Sequence, residues 1–369
     1  MGLLDRFSFK AQASKPDNDV AASLAPVPTL DIFYGIPTNF NFSATREQAM
    51  SVPTIARARG IICSSIAAIP IILRDKTTGA RVDAPRVLND PDPRIPSSAT
   101  YVWTAEDLLF YGYAYWQVKS VFADTNRVRE VERINPLRVS AFLNANSTEI
   151  LYYTVDNLEV PNTGINSLVV FYGNDEGLLR RSGSTIRAGA ELERATAMYA
   201  REPFPTMVLK SNGASLPADR ITKLLDSWAQ ARRTRATAFL NSDVSLESVG
   251  FDPEKLQLAA ARNHIATELS RALGIPAYFT DSPTGSSMTY SNATLAKESL
   301  LNFSLIPLMT SIEQRLSMSD FVASSTEAKF DLNYYLRGSA MERAQVYEVL
   351  NRVGALTPEE IRIKEEMTL

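Results

Sequence analysis

The segment from Asp252 to Leu316 constrains the fold of this 369-residue chain most strongly. It opens with Asp252 as an N-cap residue and Pro253 at the first helical position, and Gly274 and Pro276 supply a helix stop. An apolar track follows one face between them, at Leu258, Ile265, Leu269 and Ala272. A polar stretch comes next, followed by a second helical pattern. The segment therefore predicts two helices joined by a polar loop.

The second helix is predicted to begin at Asn292, a favourable N-cap residue. Its apolar face is formed by Leu301, Leu305, Leu308, Ile312 and Leu316. Pro307 lies inside this pattern, where a proline removes one backbone hydrogen bond at a cost of about 3 kcal/mol. A bend at Pro307 is expected. On pattern alone, the segment is a helical hairpin with a surface loop.

Composition limits the classes of site that the chain can hold. Its 45% hydrophobic content is sufficient for packed cores, and its length suggests two or three domains. The single cysteine, Cys63, excludes an intramolecular disulfide and a zinc site made of several cysteines. Cys63 lies in the apolar run 60–73, which at about 14 residues is shorter than the roughly 20 needed to span a bilayer. We expect a buried thiol, no membrane span and, because no signal peptide is recognisable, synthesis in a cytoplasm.

The charge balance argues against a dedicated high-affinity nucleic-acid binder. The chain has 38 basic and 41 acidic residues, giving a formal charge of −3. Such binders usually carry a basic face. A near-neutral charge is nevertheless compatible with a protein through which nucleic acid slides without binding tightly.

Along the chain, the patterns predict an α+β protein. Residues 1–44 form an arm with little periodicity, and 45–183 combine helices with short strands of a mainly antiparallel sheet. A long helix follows from Ser184, and residues 204–250 form a small α/β module with Leu224, Leu225 and Trp228 facing inward. A strand is predicted at 329–336, then a helix at 339–352 and a last helix capped by Thr357.

No catalytic constellation stands out. His264 is the only histidine and lies in the middle of a helix, and the chain has neither a phosphate-binding loop nor a dinucleotide-binding turn. Asp90 and Asp92 flank a proline, a pattern that favours a turn over a metal site. A cytoplasmic enzyme with an unrecognised carboxylate site stays an alternative.

The densest basic cluster comprises Arg232, Arg233 and Arg235. Cations are favourable at the C-terminus of a helix, so helix stabilisation is one explanation. A partner-binding surface is the other.

Several ordered motifs carry a family resemblance over roughly residues 45–362. They are Val52-Pro53-Thr54-Ile55-Ala56-Arg57-Ala58 leading to Ile66-Ala67-Ala68-Ile69-Pro70, Leu88-Asn89-Asp90-Pro91, Tyr111-Gly112-Tyr113-Ala114-Tyr115-Trp116, Ile134-Asn135-Pro136-Leu137-Arg138-Val139, Ile265-Ala266 through Leu273-Gly274-Ile275-Pro276, Tyr290-Ser291-Asn292, and Leu305-Ile306-Pro307-Leu308 to Ile312-Glu313. In this order the chain resembles the HK97-like portal proteins of tailed bacteriophages. It departs from that pattern at Gly177-Leu178-Leu179-Arg180, before the first long helix, and in its short C-terminus.

The resemblance implies a portal fold with successive named parts. These are an N-terminal arm (1–44), a wing of antiparallel sheet plus helices (45–183), a stem helix (184–203), a clip (204–250), a second stem helix (251–274), a tunnel loop (275–292), a kinked helix (293–317), a wing return (318–338) and a short helical crown (339–369). It also implies a non-enzymatic ring, usually of twelve copies, at one capsid vertex.

The resemblance places the tunnel loop against double-stranded DNA. The expected channel residues are Asp281, Ser282, Thr284, Gly285, Ser286, Ser287, Met288, Thr289 and Tyr290. Hydroxyl and glycine residues offer weak, exchangeable contacts, whereas each phosphate neutralised by a basic side chain would add affinity and resist sliding. Asp281 is the one charged residue in this set.

The resemblance further implies that the clip, with Arg232, Arg233 and Arg235, meets the terminase large subunit and later the head-tail adaptor, and that the ring meets the major capsid protein. No cofactor, metal or membrane is expected, and the location is the virion. Two alternatives within the particle stay open: a neck ring protein without direct DNA contact, and a portal of a gene-transfer particle.

Overall fold

A computed structural model describes residues 43–143, 150–201, 208–211, 217–233, 244–247, 257–280, 292–335 and 340–365. The helices are α1 (Arg46–Ser51), α2 (Pro53–Ala68), α3 (Arg86–Asn89), α4 (Ser97–Tyr111), α5 (Leu178–Arg181), α6 (Gly183–Arg201), α7 (Ala218–Arg233), α8 (Leu258–Ala272), α9 (Asn292–Leu300), α10 (Ile306–Leu316), α11 (Leu332–Tyr335), α12 (Ala340–Arg352) and α13 (Pro358–Lys364). The strands are β1 (Ile71–Asp75), β2 (Arg81–Val82), β3 (Tyr113–Val121), β4 (Val128–Ile134), β5 (Val139–Leu143), β6 (Ile150–Val155), β7 (Leu158–Val160), β8 (Leu168–Tyr172), β9 (Val208–Ser211), β10 (Val244–Glu247) and β11 (Thr326–Phe330). Short 3-10 turns lie at Pro136–Arg138 and Ala277–Thr280, and a π-turn lies at Leu301–Leu305.

The strands confirm an α+β fold with antiparallel pairing, but they do not form the one sheet that the sequence predicts. Among the described residues there are three separate three-stranded sheets, ordered β11-β1-β2, β4-β3-β8 and β5-β6-β7, and a two-stranded ribbon of β9 and β10. Every strand pair within these sheets is antiparallel. Strand β11 pairs with β1 over Ile71↔Phe330 to Asp75↔Thr326, so a late segment of the chain returns to the first sheet.

The first two helices begin where their sequences favour helix starts. Thr45 and Gln48 make a reciprocal capping box at α1, and Pro53 occupies the first turn of α2. Helix α2 buries Ile55, Ile62 and Cys63 and packs against α4. The prediction of a buried Cys63 is confirmed, and burial raises the pKa of this thiol to about 12.

A buried ionic cluster joins α1, α2 and α4. The Glu106 carboxylate has no solvent exposure and accepts hydrogen bonds from Arg46, at 2.6 Å, and from Arg59. The adjacent Asp107 pairs with Arg133 of β4 at 2.7 and 2.5 Å. The paired arginines satisfy two carboxylates that would be very unfavourable in the core alone. Nothing in the linear pattern indicated this cluster.

Three glycines bring the C-terminus of α4, the end of β8 and the start of α5 into backbone contact. A Cβ added at Gly177 would lie 2.5 Å from the backbone nitrogen of Gly112, and one at Gly173 would lie 2.5 Å from the Gly112 oxygen. Gly112 and Gly177 also have φ values of 81° and 82°, which favour glycine. The atypical segment Gly177-Leu178-Leu179-Arg180 therefore forms a tight corner and a short helix before α6.

Helices α6 and α8 pack side by side. Gly189 of α6 allows close approach, because a Cβ there would lie 3.2 Å from Ile265 of α8. Arg262 of α8 binds Glu193 of α6 at 2.8 and 3.0 Å. The sequence predicts that this helix starts after Asp252. Gln257 instead has a φ of 48°, which is not helical, so α8 begins at Leu258. Residues 251–256 lie outside the described residues.

The segment between α6 and α8 contains β9, α7 and β10. Val244↔Ser211 to Glu247↔Val208 pair the two strands. The predicted helix ending at Arg233 is confirmed, but Leu225 is 53% exposed rather than inward. The predicted strand 236–241 lies outside the described residues.

Beyond α10, the predicted strand 329–336 is partly wrong. Strand β11 ends at Phe330, and residues 332–335 form the short helix α11. The final helix is as predicted, with Thr357 and Glu360 in a capping box and Pro358 in the first turn.

Within the described ranges, no helix is long and apolar enough to cross a membrane. His264 lies exposed on α8. The Asp92 carboxylate accepts hydrogen bonds from the Arg94 backbone and side chain, which agrees with the predicted turn, and these bonds lower the pKa of Asp92.

Candidate functional site

The predicted tunnel loop emerges from a base that the structure describes on both sides. The expected channel residues Asp281, Ser282, Thr284, Gly285, Ser286, Ser287, Met288, Thr289 and Tyr290 all lie outside the described residues. The base consists of the end of α8, the 3-10 turn Ala277–Thr280, α9, the π-turn and α10.

Helix α8 ends in a Schellman motif at Gly274. Gly274 has a φ of 65°, its N–H donates to the Arg271 carbonyl at 3.1 Å, and the Ile275 N–H donates to the Ser270 carbonyl at 3.1 Å. This pair of bonds satisfies two carbonyls at the helix end and fixes the direction of the exiting chain. The sequence prediction of the stop at Gly274 is confirmed.

The turn after α8 is fixed by three polar contacts. The hydroxyls of Ser270 and Thr280 lie 2.7 Å apart, and Thr280 donates to the Ala277 carbonyl at 2.8 Å. The Nε of Arg57, on α2, donates to the Phe279 carbonyl at 2.6 Å. The last described residues before the predicted loop are therefore held by both α8 and α2.

On the far side of the loop, Pro307 is accommodated by a π-turn. In a regular α-helix its ring would clash with the carbonyl of Phe303, four residues earlier, and its missing N–H would leave that carbonyl unpaired. Instead, residues 301–305 are π-helical, and the Ile306 N–H donates to the Leu301 carbonyl five residues earlier. Pro307 then occupies the first turn of α10. The predicted interruption is present, and it lies in the turn before the proline.

The π-turn also changes which side chains face the core. Leu301, Leu305, Ile312 and Leu316 are buried as predicted, but Leu308 is only half-buried and Met309 is 2% exposed. The difference is confined to this one position, because Ile312 and Leu316 beyond it keep the predicted track.

Hydrogen bonds tie the two sides of the base together. Ser304 in the π-turn donates from Oγ to the Gly274 carbonyl at 2.7 Å. Ser311 of α10 donates to Oδ1 of Asn174, beyond β8, at 3.2 Å. Arg181 of α5 donates to the Ala272 carbonyl at 2.5 Å. The described residues that flank segment 281–291 thus belong to one hydrogen-bonded base.

Sequence reasoning did not identify Arg57, Ser270, Thr280 or Ser304 as base residues. Their partners are 222, 10, 10 and 30 residues away in the chain. Single polar residues in helices carry no periodic signal. A serine one turn before an interior proline is the one local hint, because the carbonyls and hydroxyls near a disrupted turn need partners.

The predicted clip cluster is described only in part. Arg232 and Arg233 form the C-terminal end of α7. Arg235 lies outside the described residues, so the structure does not describe whether the three side chains converge.

The described residues of this base contribute hydroxyl groups, backbone carbonyls and the guanidinium groups of arginines that bind those carbonyls. Among them, no group of three His, Cys, Asp or Glu side chains could hold a metal ion. The arrangement can position a polar loop.

Comparison with known proteins gives consistent similarities. The family model described as "Phage portal protein" matches residues 53–366. A probable portal protein of Streptomyces phage phiC31 is 21% identical over 355 residues, covering 88% of this chain and 77% of the phage protein.

Solved structures share the fold. An HK97 family phage portal protein from Corynebacterium diphtheriae is 25% identical, with a TM-score of 0.61, covering 80% of this chain and 97% of that one. A chain in the neck of an empty gene transfer agent particle, computed with C6 symmetry, is 18% identical with a TM-score of 0.60, covering 92% and 97% of the two chains. The family match spans most of the sequence, from the start of α2 to beyond α13, and the chain belongs to the phage portal protein family.

Proposed function

We propose that this protein assembles into a ring that conducts double-stranded DNA, without sequence specificity, through one capsid vertex during genome packaging and ejection. The ring is a structural component of the virion, and its role is not catalytic. The observation that carries this proposal is the fixed base of segment 281–291 in a chain of the portal family. A polar loop on a rigid base can project into a channel while its own residues stay adaptable.

The composition of the segment suits sliding contact. Six of its eleven residues are serine or threonine, and Asp281 is its only charged residue. Each Lys or Arg that neutralised a phosphate would release counterions and add affinity. Around a ring, the number of such contacts would be multiplied by the number of copies, and their binding free energies would add. Hydroxyl contacts exchange with water at little cost.

A ring of twelve copies is the stoichiometry we propose. The neck of a native gene transfer agent particle, computed with C12 symmetry, contains a chain of the same fold with a TM-score of 0.57. Closed cyclic symmetry allows identical chains to surround a channel without leaving an unpaired interface. The proposed partners are the terminase large subunit and head-tail adaptor at the clip, and the major capsid protein around the ring.

Deleting residues 282–289 tests the loop assignment. The deletion should leave the ring intact, because the described base does not include these residues, and should reduce packaged DNA or its retention. The measurement is protected DNA per particle after nuclease treatment. A matched control replaces the same residues with an equal number of Gly and Ser, which should preserve most packaging. Normal packaging in the deletion variant would show that this loop does not serve the channel.

Changing Arg232, Arg233 and Arg235 together to Ser tests the clip. We expect weaker binding to the terminase large subunit or the adaptor, measured by sedimentation with purified rings. A helix-end role alone predicts a stability loss of about 0.3–1 kcal/mol per charge and unchanged binding. Arg220→Ser, at the exposed opposite end of α7, is the control. Wild-type partner affinity in the triple variant would assign the cluster to helix stabilisation.

A further inference from the structure

The N-terminal arm contains a segment that is unusually apolar for a chain terminus. Of the thirteen residues 30–42, seven are aliphatic or aromatic: Leu30, Ile32, Phe33, Tyr34, Ile36, Phe40 and Phe42. Asp31 is the only charged one. Chains that stay unfolded in water are poor in aromatic and β-branched residues and rich in charge. This segment is therefore expected to bury its side chains against a surface.

The structure fixes where the arm leaves the folded chain. Ser43 donates from Oγ to the Arg180 carbonyl at 2.8 Å, and Ala44 is buried. A Cβ at Gly183 would lie 2.7 Å from the Ser43 carbonyl carbon, so the backbones touch there. Ser43, the first described residue, thus lies against the corner between α5 and α6.

An open groove lies beside this corner. Leu109 of α4, Leu273 after α8, Phe303 of the π-turn and Leu308 of α10 supply its apolar lining, and its volume is 320 Å³. The groove is next to the arm's starting point, because Arg181 lines it and follows the residue that binds Ser43. Phe303 is 71% exposed, so its ring is open to a covering segment.

Polar residues also lie at the edge of the groove. Asn174, Asp175 and Arg271 line it together with the apolar side chains. An extended segment lying there would need such groups for its backbone N–H and C=O. Phe40 is three residues from Ser43, so it can reach about 10 Å from that anchor in an extended chain.

We propose that residues 30–42 bind in this groove of their own subunit and cover Phe303 with the aromatic side chains of the arm. Each buried aromatic residue removes about 150–250 Å² of surface from water. The arm would then bridge the wing and the π-turn and brace the base of segment 281–291. This binding needs neither ring assembly nor DNA, so it stands or falls separately from the proposed function.

Thiol labelling tests this placement in the full-length protein. The native Cys63 is buried and burial raises its pKa to about 12, so it contributes little background at neutral pH. Phe303→Cys is compared with Met341→Cys on α12, because the two native side chains are similarly exposed, at 71% and 70%. We expect the thiol at position 303 to react with iodoacetamide about tenfold more slowly than the one at 341.

The same two variants are then combined with Phe33, Tyr34, Phe40 and Phe42 all changed to Ser. Labelling at 303 should rise to the rate at 341, and labelling at 341 should not change. If the rate at 303 is unaffected by the four Ser substitutions, the arm does not cover Phe303 and the proposal is wrong. Fractions of each oligomeric state are labelled separately, so ring formation does not confound the result.

Disulfide trapping supplies an independent measurement. Oxidation of the Phe40→Cys, Phe303→Cys double variant should give an intrachain disulfide, identified by peptide mapping, because bonded cysteines need Cα atoms roughly 4.4–6.8 Å apart. Phe40→Cys paired with Met341→Cys should stay reduced. An interchain disulfide would place the arm in a neighbouring subunit, and no disulfide would remove it from the groove. Either result overturns the proposal.

Discussion

At the scale of single residues, close backbone contact depends on a few glycines. Gly112, Gly173 and Gly177 join helix α4 to the corner that leads into α6. Each position lacks room for a Cβ against backbone atoms, which cannot move aside as a flexible side chain can. This corner is also where Ser43 and Arg181 attach, so it connects α4 with the base of the predicted tunnel loop.

Gly177→Ala should destabilise the protein more than Gly79→Ala. Both glycines have positive φ, at 82° and 71°, so an alanine is strained at either position. Gly177 also has a ψ of 157°, in a region that is essentially restricted to glycine. Only at Gly177 would the new Cβ also meet backbone atoms, whereas nothing lies within 4 Å at Gly79. We expect an additional loss of about 3 kcal/mol, measured by urea denaturation. Equal midpoints for the two variants would contradict this packing.

Residue properties that depend on local sequence were predictable. The buried Cys63, the helix stop at Gly274 and the cap at Thr357 follow from neighbouring residues alone. Contacts across long separations were not predictable. The bond from Arg57 to the Phe279 carbonyl joins residues 222 positions apart, and no periodicity encodes such a pair.

At the scale of elements, the π-turn is the main difference between the expected and observed kinked helix. The sequence predicts that Pro307 interrupts the helix, since proline has no N–H to donate. From this we expect a bend at Pro307, but the sequence does not predict the π-turn that precedes it. Here the Gly274 carbonyl accepts a hydrogen bond from the Ser304 hydroxyl, which holds the π-turn beside the end of α8.

Ser304→Ala should loosen the loop base without unfolding the chain. Losing one hydrogen bond costs about 1 kcal/mol and leaves the Gly274 carbonyl without its side-chain donor. Amide hydrogen exchange should become about fivefold faster in residues 275–280 and 292–305. Ser311→Ala, which removes the bond to Asn174 instead, should not alter exchange in 275–280. Unchanged exchange in Ser304→Ala would mean that the bond does not hold the two sides together.

The strands show a similar limit of sequence reasoning. Alternating and β-branched residues predicted most strands, but their division into separate sheets depends on long-range pairing. The pairing of β1 with β11 joins segments about 250 residues apart. The predicted strand 329–336 is partly wrong for the same reason. The residues 332–335 include two tyrosines, which favour a strand, and nothing in the local sequence indicates the short helix that they form.

At the scale of the whole molecule, the single chain leaves large apolar side chains in water at its C-terminal end. The exposed set comprises Val346, Val349, Val353 and Ile363 of the predicted crown. Monomeric proteins rarely expose such residues together, and burial against neighbouring copies would remove the cost. This surface supports ring assembly, while the charge of −3 supports a channel that does not grip DNA.

Electron microscopy of the purified full-length protein tests the ring proposal most directly. Negative-stain class averages, collected across protein concentration and salt, are expected to show closed rings with cyclic symmetry and a central opening wide enough for duplex DNA. In a higher-resolution map, segment 281–291 of every copy should face that opening. A compact monomer under all conditions, or a ring whose 281–291 segments face outward, would contradict the proposed DNA conduit.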